Sequence, residues 1–414
     1  MTLTPLLTRR AVVQAAIEDV SGTPQAVGAN DGILVESPMY MGDAQMLERK
    51  FVRDTLSPIA HITGRVTAKM EFTTELRGNG SQNAGTLAAS PVIARLFQMC
   101  GYALTAHAAS TTFGPYQTDP SESDVVWAAN ATAADNTDVI SYKVKVTTPG
   151  ASGVGKVTVT SDTPGEGSAE QVLTTGTALD LGTKGLVLTP TFADDLKEGQ
   201  SWTVWLMPPG LALTPISDGF QSGTLVMYKD GVEHTMPGSF GTFTIDAQAG
   251  QFATVKWTFT GIWSNPVDNP TPNLIYERTL PAMVELARLQ VADFQAVVEK
   301  FTYDQKNDVQ IRPDVNAYMG YNGTRIVSRM PEGGIDPEAT LVADNDFWGQ
   351  LIAASRMPFQ VRVGSEPGNT VWLLAPATQY SGLTYADRNG IMTYDAKLTF
   401  SAYQADDELT IYLC

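Results

Sequence analysis

Residues 254–260 read Thr-Val-Lys-Trp-Thr-Phe-Thr, and their alternation decides the fold. Val255, Trp257 and Phe259 fall on one face of an extended strand, and Lys256, Thr258 and Thr260 on the other. The same period of two runs through Val66, Ala68, Met70, Phe72 and Thr74, with Thr67, Lys69, Glu71 and Thr73 opposite. Residues 395–401, Asp-Ala-Lys-Leu-Thr-Phe-Ser, repeat the Lys-x-Thr-Phe of the first stretch. Leu-Val-Met-Tyr-Lys-Asp-Gly-Val-Glu-His lies within 224–236 and predicts a hairpin turning at Asp230-Gly231. The expected class is mainly β with a few helices (α+β).

Composition agrees. The 414 residues include 36 Gly and 24 Pro against 17% charged residues, a balance that suits many short strands and turns. Hydrophobic residues reach 43%, which excludes a disordered chain. The formal charge of −17 argues against nucleic-acid gripping, which needs Lys and Arg to neutralise phosphate. Acidity also keeps a protein soluble. Cys100 and Cys414 are the only cysteines, so a disulfide-stapled design is not expected. The first twenty residues lack the succession of a signal peptide, and no apolar run reaches the ~18 residues of a membrane span. The expected site of synthesis is the cytoplasm.

Three helices are expected. Thr8 would cap one through Ala11, Val12, Ala15, Ala16 and Ile17. Ser90 would cap a second, with Pro91 first and a stripe of Val92, Ile93, Leu96, Phe97 and Cys100 before Gly101. Asp346 would cap a third, with Phe347, Trp348, Leu351 and Ile352 apolar and Pro358 as the stop. Between 113 and 215 the texture changes. Strands at Ser141–Thr148, Gly155–Ser161 and Ser201–Met207 are separated by Ala-, Gly- and Thr-rich turns, as in a small immunoglobulin-like sandwich.

The order of elements then repeats. Strands across 303–331, the helix at Phe347, a hairpin (Phe359–Val363, Val371–Leu374) and the strand at 395–401 follow the order seen before residue 275. Val92 matches Phe347 at an offset of 255, and Lys256 matches Lys397 at 141. The first copy thus holds 114 more residues between helix and last strand, close to the length of the odd segment. The expected domains are 1–112 plus 216–285, an insertion at 113–215, and 286–414.

The repeat resembles the major tail tube proteins of long-tailed, non-contractile (siphovirus-type) bacteriophages. The matching stretches are Phe72-Thr-Thr-Glu-Leu-Arg-Gly78, Leu96-Phe-Gln-Met-Cys-Gly101, Gly231 through Ile245, Phe259-Thr-Gly-Ile-Trp263 and Asn265-Pro-Val-Asp-Asn-Pro270. They cover most of the chain outside 113–215 but hold no single diagnostic signature. The resemblance implies tube domains of sandwich or partial-barrel form, each flanked by a helix, closing six to a ring. Two copies per chain would make each ring a trimer. It further implies a place in the virion, with tape measure, tail terminator and distal tail proteins as partners and DNA passing without tight binding. The inserted sandwich would decorate the outside and contact the host surface. The alternatives are a tail terminator or minor tail protein of the same fold, or a carbohydrate-binding adhesive protein.

Chemical motifs are weak, and no catalytic, cofactor or metal residue is expected. Gly150-Ala-Ser-Gly-Val-Gly-Lys156 imitates a phosphate loop, but Val157 stands where Ser or Thr must be, and a strand follows instead of a helix. His61, His107 and His234 form no helical pair, and the cysteines lack zinc spacing. Asp344-x-Asp346 lacks the rest of a calcium loop. Asn79-Gly-Ser81, Asn130-Ala-Thr132 and Asn322-Gly-Thr324 fit glycosylation acceptors but come without a secretion signal. Lys256 and Lys397 on polar strand faces are ordinarily solvated. Trp257, Trp263, Trp348 and Trp372 are ordinarily core. Segments 35–60 and 300–323 are candidates for arms that touch adjacent subunits or rings.

Overall fold

The computed structural model describes residues 6–78, 80, 87, 90–118, 125–131, 134, 136–292 and 294–414. Strands take 53% of the chain and helices 5%, so the protein is mainly β. The first part holds β1 (Ala11–Ile17), β2 (Gly32–Ile33), β3 (Glu36–Leu47), β4 (Ile62–Glu75), α1 (Val92–Met99) and β5 (Tyr102–His107). The next holds β6 (Thr111–Gln117), β7 (Val125–Asn130), β8 (Ile140–Thr148) and β9 (Lys156–Ser161). It continues with β10 (Ser168–Val172), β11 (Leu179–Asp180), β12 (Val187–Phe192) and β13 (Ser201–Met207). Then come β14 (Gly210–Pro215), β15 (Gly223–Lys229), β16 (Val232–Gln248), β17 (Thr254–Ile262) and β18 (Val267–Asp268). The last part starts with β19 (Gln290–Val291), β20 (Val298–Asp304), β21 (Asn307–Pro313), β22 (Tyr321–Arg329) and β23 (Glu332–Pro337). It ends with α2 (Phe347–Ile352), β24 (Met357–Val363), β25 (Val371–Arg388), β26 (Ile391–Ser401) and β27 (Thr410–Leu413).

The strand pairings follow one order twice, all antiparallel. In the first pass β3 pairs β4, β4 pairs β17, and β17 pairs the second half of β16. The first half of β16 pairs β15 and β18, and β15 pairs β1. In the second pass β20 pairs β23, β23 pairs β26, and β26 pairs the second half of β25. The first half of β25 pairs β24 and β27, and β24 pairs β19. Each helix sits between the same two steps, after β4 or β23 and before β15 or β24.

One apolar core runs through both passes. The faces read from alternation supply it: Met70, Phe72, Val255, Trp257 and Phe259 are buried, with Leu398 and Phe400 in the second pass. Helix α1 presses Phe97 into this layer, with ring centroids 4.8 Å from Trp257 and 4.9 Å from Phe243. Burying each such side chain contributes about 1.5–3 kcal/mol. Trp257 Nε1 donates to Thr74 Oγ1 at 2.9 Å, so its polar atom is satisfied. In α2, Asp346 caps as expected, accepting from Gly349 N at 2.7 Å, and Phe347 is the buried residue.

Residues 111–207 form two sheets of their own, in the orders β10-β9-β8-β13-β6 and β11-β12-β7. Val144, Val157, Leu188, Trp202 and Val204 lie in the separate core between them. This unit is docked against the second pass. Arg362 is 7% exposed and pairs with Asp138 at 2.7 Å. Trp372 Nε1 donates to Asp138 at 3.0 Å, and Trp205 Nε1 donates to Gln360 Oε1 at 2.7 Å. Val139, Trp205, Met207, Trp372, Leu374 and Tyr412 pack beneath these bonds.

Three sequence expectations are corrected. Ala11–Ile17 is strand β1, not a helix, with Val13 through Ala16 buried in succession between β15 and β2. Its helical spacing is a by-product of a nearly continuous apolar run, broken only by the buried Gln14, which suits a strand covered on both faces. Helix α1 begins at Val92, because Pro91 has an extended ψ of 152°; Pro91 is the N-cap residue, and Ser90 makes no cap. The insertion does not reach 215. Gly210–Pro215 pairs with β5 and β27 in the large sheet, so its two-sided burial belongs to the body and not to the sandwich.

Candidate assembly surface

The two passes join through two strand pairings, β14 with β27 and a seam between β16 and β20. Second-half residues of β16 pair with β20: Thr244 with Asp304, Ile245 with Tyr303, Asp246 with Thr302, Ala247 with Phe301 and Gln248 with Lys300. This produces a continuous run of strands, β3-β4-β17-β16-β20-β23-β26-β25. Buried polar groups lock the seam. Tyr102 and Tyr303 hydroxyls donate to Gln305 Oε1 at 2.9 and 2.5 Å. Asn307 Nδ2 donates to the carbonyls of Cys100 and Gly241 at 2.7 and 2.9 Å. Burial pushes both tyrosine pKa values up, so both stay neutral donors.

The repeat fixes which residues correspond. Lys256 pairs with Thr244 and Thr73, while Lys397 pairs with Gly382 and Gly334. Thr244 therefore corresponds to Gly382, and Thr73 to Gly334. Thr73 pairs with Glu36 and Gly334 with Thr302, so Glu36 corresponds to Thr302. Carried one step further, the buried seam pair Ala247 and Phe301 corresponds to Tyr385 on β25 and Val35 beside β3. Those two positions lie on the outer edges of the run. Among the described residues neither the second half of β25 nor β3 has a strand on its outer side. Ala247 is 2% exposed and Tyr385 58%, and Leu34 and Met39 near the other edge are 46% and 49% exposed. An open strand edge bearing apolar side chains is a template for another strand.

The face of this run turned away from the core carries Thr242, Thr244, Thr258, Thr302 and Thr399 with interspersed charge. Lys69 pairs with Glu71 at 2.6 Å, and Lys300 with Asp246 at 3.2 Å across the seam. Lys256 and Lys397 are exposed on this face. Trp257 and Trp372 are fully buried, while Trp263 and Trp348 are partly buried against the core.

The remaining motifs stay apart. Gly150 takes a φ of 146° in the turn entering β9, and Lys156 pairs with Glu170. His61 is exposed before β4, His107 ends β5, and His234 stacks on Tyr40 at 4.5 Å. Burial lowers the pKa of His107, and burial with nearby Lys229 lowers that of His234. No group of three His, Cys, Asp or Glu residues that could hold a metal occurs among the described residues. Asn79, Ser81 and Thr132 of the glycosylation patterns lie outside those residues. A cleft of about 400 Å³ separates β8 and β9 from β24, lined by Lys145, Thr158, Thr160, Asp162, Gln290 and Gln360.

The seam and its corresponding edges escaped sequence reading, since residues 244–248 and 300–304 carry no mark of mutual pairing. The two-residue turn of β25 and β26 at Asn389-Gly390 offered the one usable signal, a strand too long for its own neighbours. No protein-family model matches the chain, and no curated protein matches it.

Proposed function

We propose that the chain is the structural subunit of a hollow polymer, the tail tube of a long-tailed, non-contractile bacteriophage. One observation carries this reading: an eight-strand run built from two passes, joined within the run by the β16–β20 seam and ending in two edges that correspond to that seam. Pairing β25 of one chain with β3 of the next would repeat the seam between molecules, and head-to-tail repetition with rotation closes a ring. Closing the sheet removes its open edges. The resemblance to tail tube proteins sets closure at six units, hence three chains. Three runs of eight strands, spaced about 4.8 Å and tilted near 40°, enclose a backbone diameter of about 48 Å.

The threonine-rich polar face would then line the lumen. Its charges are paired or exposed to water, which suits a conduit that lets DNA slide. The inserted sandwich leaves the body between β5 and β14, which lie outside the eight-strand run, and docks on β24 and on the first half of β25, the half that does not pair with β26, which favours an outward position. Tape measure, terminator and distal tail proteins would cap or fill the polymer.

Negative-stain imaging and native mass spectrometry of the purified chain test the proposal. The expected result is hollow fibres whose ring unit is three chains with three outer lobes. A polymer without a lumen, or a ring of six chains, would count against it. A single ring that never stacks would favour the terminator reading.

A further inference from the structure

The two passes differ beside β15 and β24. Each of these strands carries an irregularity near its start, between Gly223 and Leu225 and between Met357 and Phe359, so Leu225 corresponds to Phe359. Leu225 pairs with Ala15 and Phe359 with Val291, so Ala15 corresponds to Val291, and Arg10 to Leu286. In the first pass β1 keeps one register over its whole length, and Asp230 N continues it by donating to Arg10 O at 2.8 Å. In the second pass only Gln290 and Val291 keep it. Beyond them Arg362 N donates to Ala287 O at 2.7 Å, and Gly364 N to Met283 O at 3.2 Å. The segment from 283 to 287 thus has two residues too many for the stretch of β24 beside it, and it bulges. Leu286 and Arg288 hold φ values of 50° and 44°, a region that residues other than glycine rarely adopt.

This bulge touches both passes and the sandwich. Leu286 O accepts from Arg362 Nη2 at 2.9 Å, and Arg362 Nη1 pairs with Asp138 of the sandwich at 2.7 Å. Arg288 Nη1 lies 3.8 Å from Asp138 and 4.0 Å from Asp162, also of the sandwich. In the first pass Arg10, the counterpart of Leu286, pairs instead with Asp230 of its own pass. On its other side the bulge holds the tip of the β16–β17 hairpin. Gly250 N donates to Val284 O at 3.0 Å, and Val284 N donates to Gln251 O at 2.8 Å. That tip follows directly on the seam residues Ala247 and Gln248. A cavity of about 210 Å³ lies between the bulge and the seam, bordered by Ala247, Val298, Phe301 and Val361.

We infer that residues 283–288 couple the position of the sandwich to the seam. With the sandwich docked, the bulge is held and fixes the β16–β17 tip; with the sandwich released, the bulge relaxes and frees the tip. The segment has a second arrangement open to it, because its surplus residues give it slack and the cavity gives it room. A left-handed Leu286 and Arg288 persist only while their surroundings hold them. Docking supplies that hold: Asp138 aims the Arg362 guanidinium at Leu286 O, and Asp138 and Asp162 attract Arg288. Coupling of this kind is reciprocal, so whatever loosens the tip weakens docking by the same factor. A partner that lifts the sandwich from outside would therefore be felt at the seam. The inference concerns a single chain and does not depend on the ring reading.

Asp138→Lys in the full chain tests this, because it sets a third cation against Arg362 and Arg288 and expels the sandwich. Release is read from acrylamide quenching of Trp205 and Trp372, which are buried at the contact. Hydrogen exchange is then followed by mass spectrometry. Peptides covering 249–252 and 282–288 should exchange about tenfold faster, and peptides covering 66–74 and 255–260 should not change. Release with unchanged exchange at 249–252 overturns the coupling, and so does equal acceleration in all four peptides. Arg288→Gln leaves the Arg362–Asp138 pair in place and should speed the first two peptides about fivefold. Unchanged rates in that variant overturn the inference whether or not Asp138→Lys folds. In the reverse direction, Gly250→Ala strains the tip, since Gly250 holds a φ of 74° and an added methyl meets no neighbour. It should raise the quenching of Trp205 and Trp372, and unchanged quenching would contradict reciprocity and overturn the coupling.

Discussion

Replacing Tyr385 with aspartate puts the proposed seam to a quantitative test. In the single chain Tyr385 is 58% exposed but its ring lies 5.0 Å from that of Tyr394 and 5.8 Å from that of Trp348, so Tyr385→Asp should cost folding no more than about 1–3 kcal/mol, which thermal unfolding of the single chain measures separately. In a ring its counterpart relation to Ala247 places it against Val35 of the next copy. Ala247 is 2% exposed, so the new carboxylate would be buried without a partner. An uncompensated buried charge costs about 3–5 kcal/mol. At 1.4 kcal/mol per decade that weakens each contact between chains by about two to three and a half decades. Three such contacts close a ring, so the polymer should vanish at concentrations where the unaltered chain forms it fully. Sedimentation velocity measures the association, and thermal unfolding checks the single chain. Ala247→Asp is the control, since the same change at the covalently joined seam must appear as lost folding stability of about 3–5 kcal/mol. Tubes formed by Tyr385→Asp at the ordinary concentration would refute the correspondence of the two seams.

Asp138→Ala leaves the Arg362 guanidinium buried without its carboxylate and strips Trp372 Nε1 of its acceptor; we expect a loss of about 3–5 kcal/mol in denaturant unfolding. Deleting the sandwich by joining Gly114 to Ser217 would remove β14 from between β5 and β27, so that variant should fail to fold, as circular dichroism would show. Joining His107 to Gly210 through Asn-Gly keeps that pairing as a two-residue hairpin, and with Arg362→Met it should still give tubes by electron microscopy. Burial raises the pKa of Asp162, against the opposing pull of its hydrogen bonds. A raised folded value means stability from this group is present below the ordinary Asp range and is lost as pH rises through the folded value. Asp162→Asn should therefore raise the melting temperature at neutral pH and leave it unchanged near pH 3; a rise of equal size at both would contradict the burial argument.

The strand faces were legible because alternation is a local signal. Met70, Phe72, Trp257 and Phe259 read as core from spacing alone, and they are core. The segment 11–17 misled for the same reason: where strand faces are both covered, the period disappears and helical spacing appears by accident. Long-range partners left no trace. Glu18 is buried and accepts from Ser222 Oγ at 2.6 Å, Thr224 Oγ1 at 2.7 Å and Gly238 N at 2.8 Å, all about two hundred residues away. Asp138 and Arg362 are 224 residues apart. The long strands β16 and β25 change neighbours halfway along without any break in sequence texture, which hid both the seam and the edges.

The two seams face different physical demands, and the sequence departs from symmetry where those demands differ. The internal seam forms once, within one chain, and needs no guard; it is sealed by Tyr102, Tyr303, Gln305 and Asn307. In the proposed ring the outer edges would have to stay unpaired in solution until a neighbour arrives, because open edges invite indiscriminate pairing. At the position on β3 that corresponds to Tyr303 the strand is interrupted by an irregularity between Glu36 and Met39. Ser37 there holds a φ of 50°, and Pro38 offers no backbone donor. A bulge with proline on an edge strand blunts pairing by chance partners. The second half of β25 carries an irregularity of its own, between Tyr380 and Gly382, so both edges of the proposed outer seam are broken. If the proposed ring forms, its outer seam therefore has to be completed by something besides strand pairing.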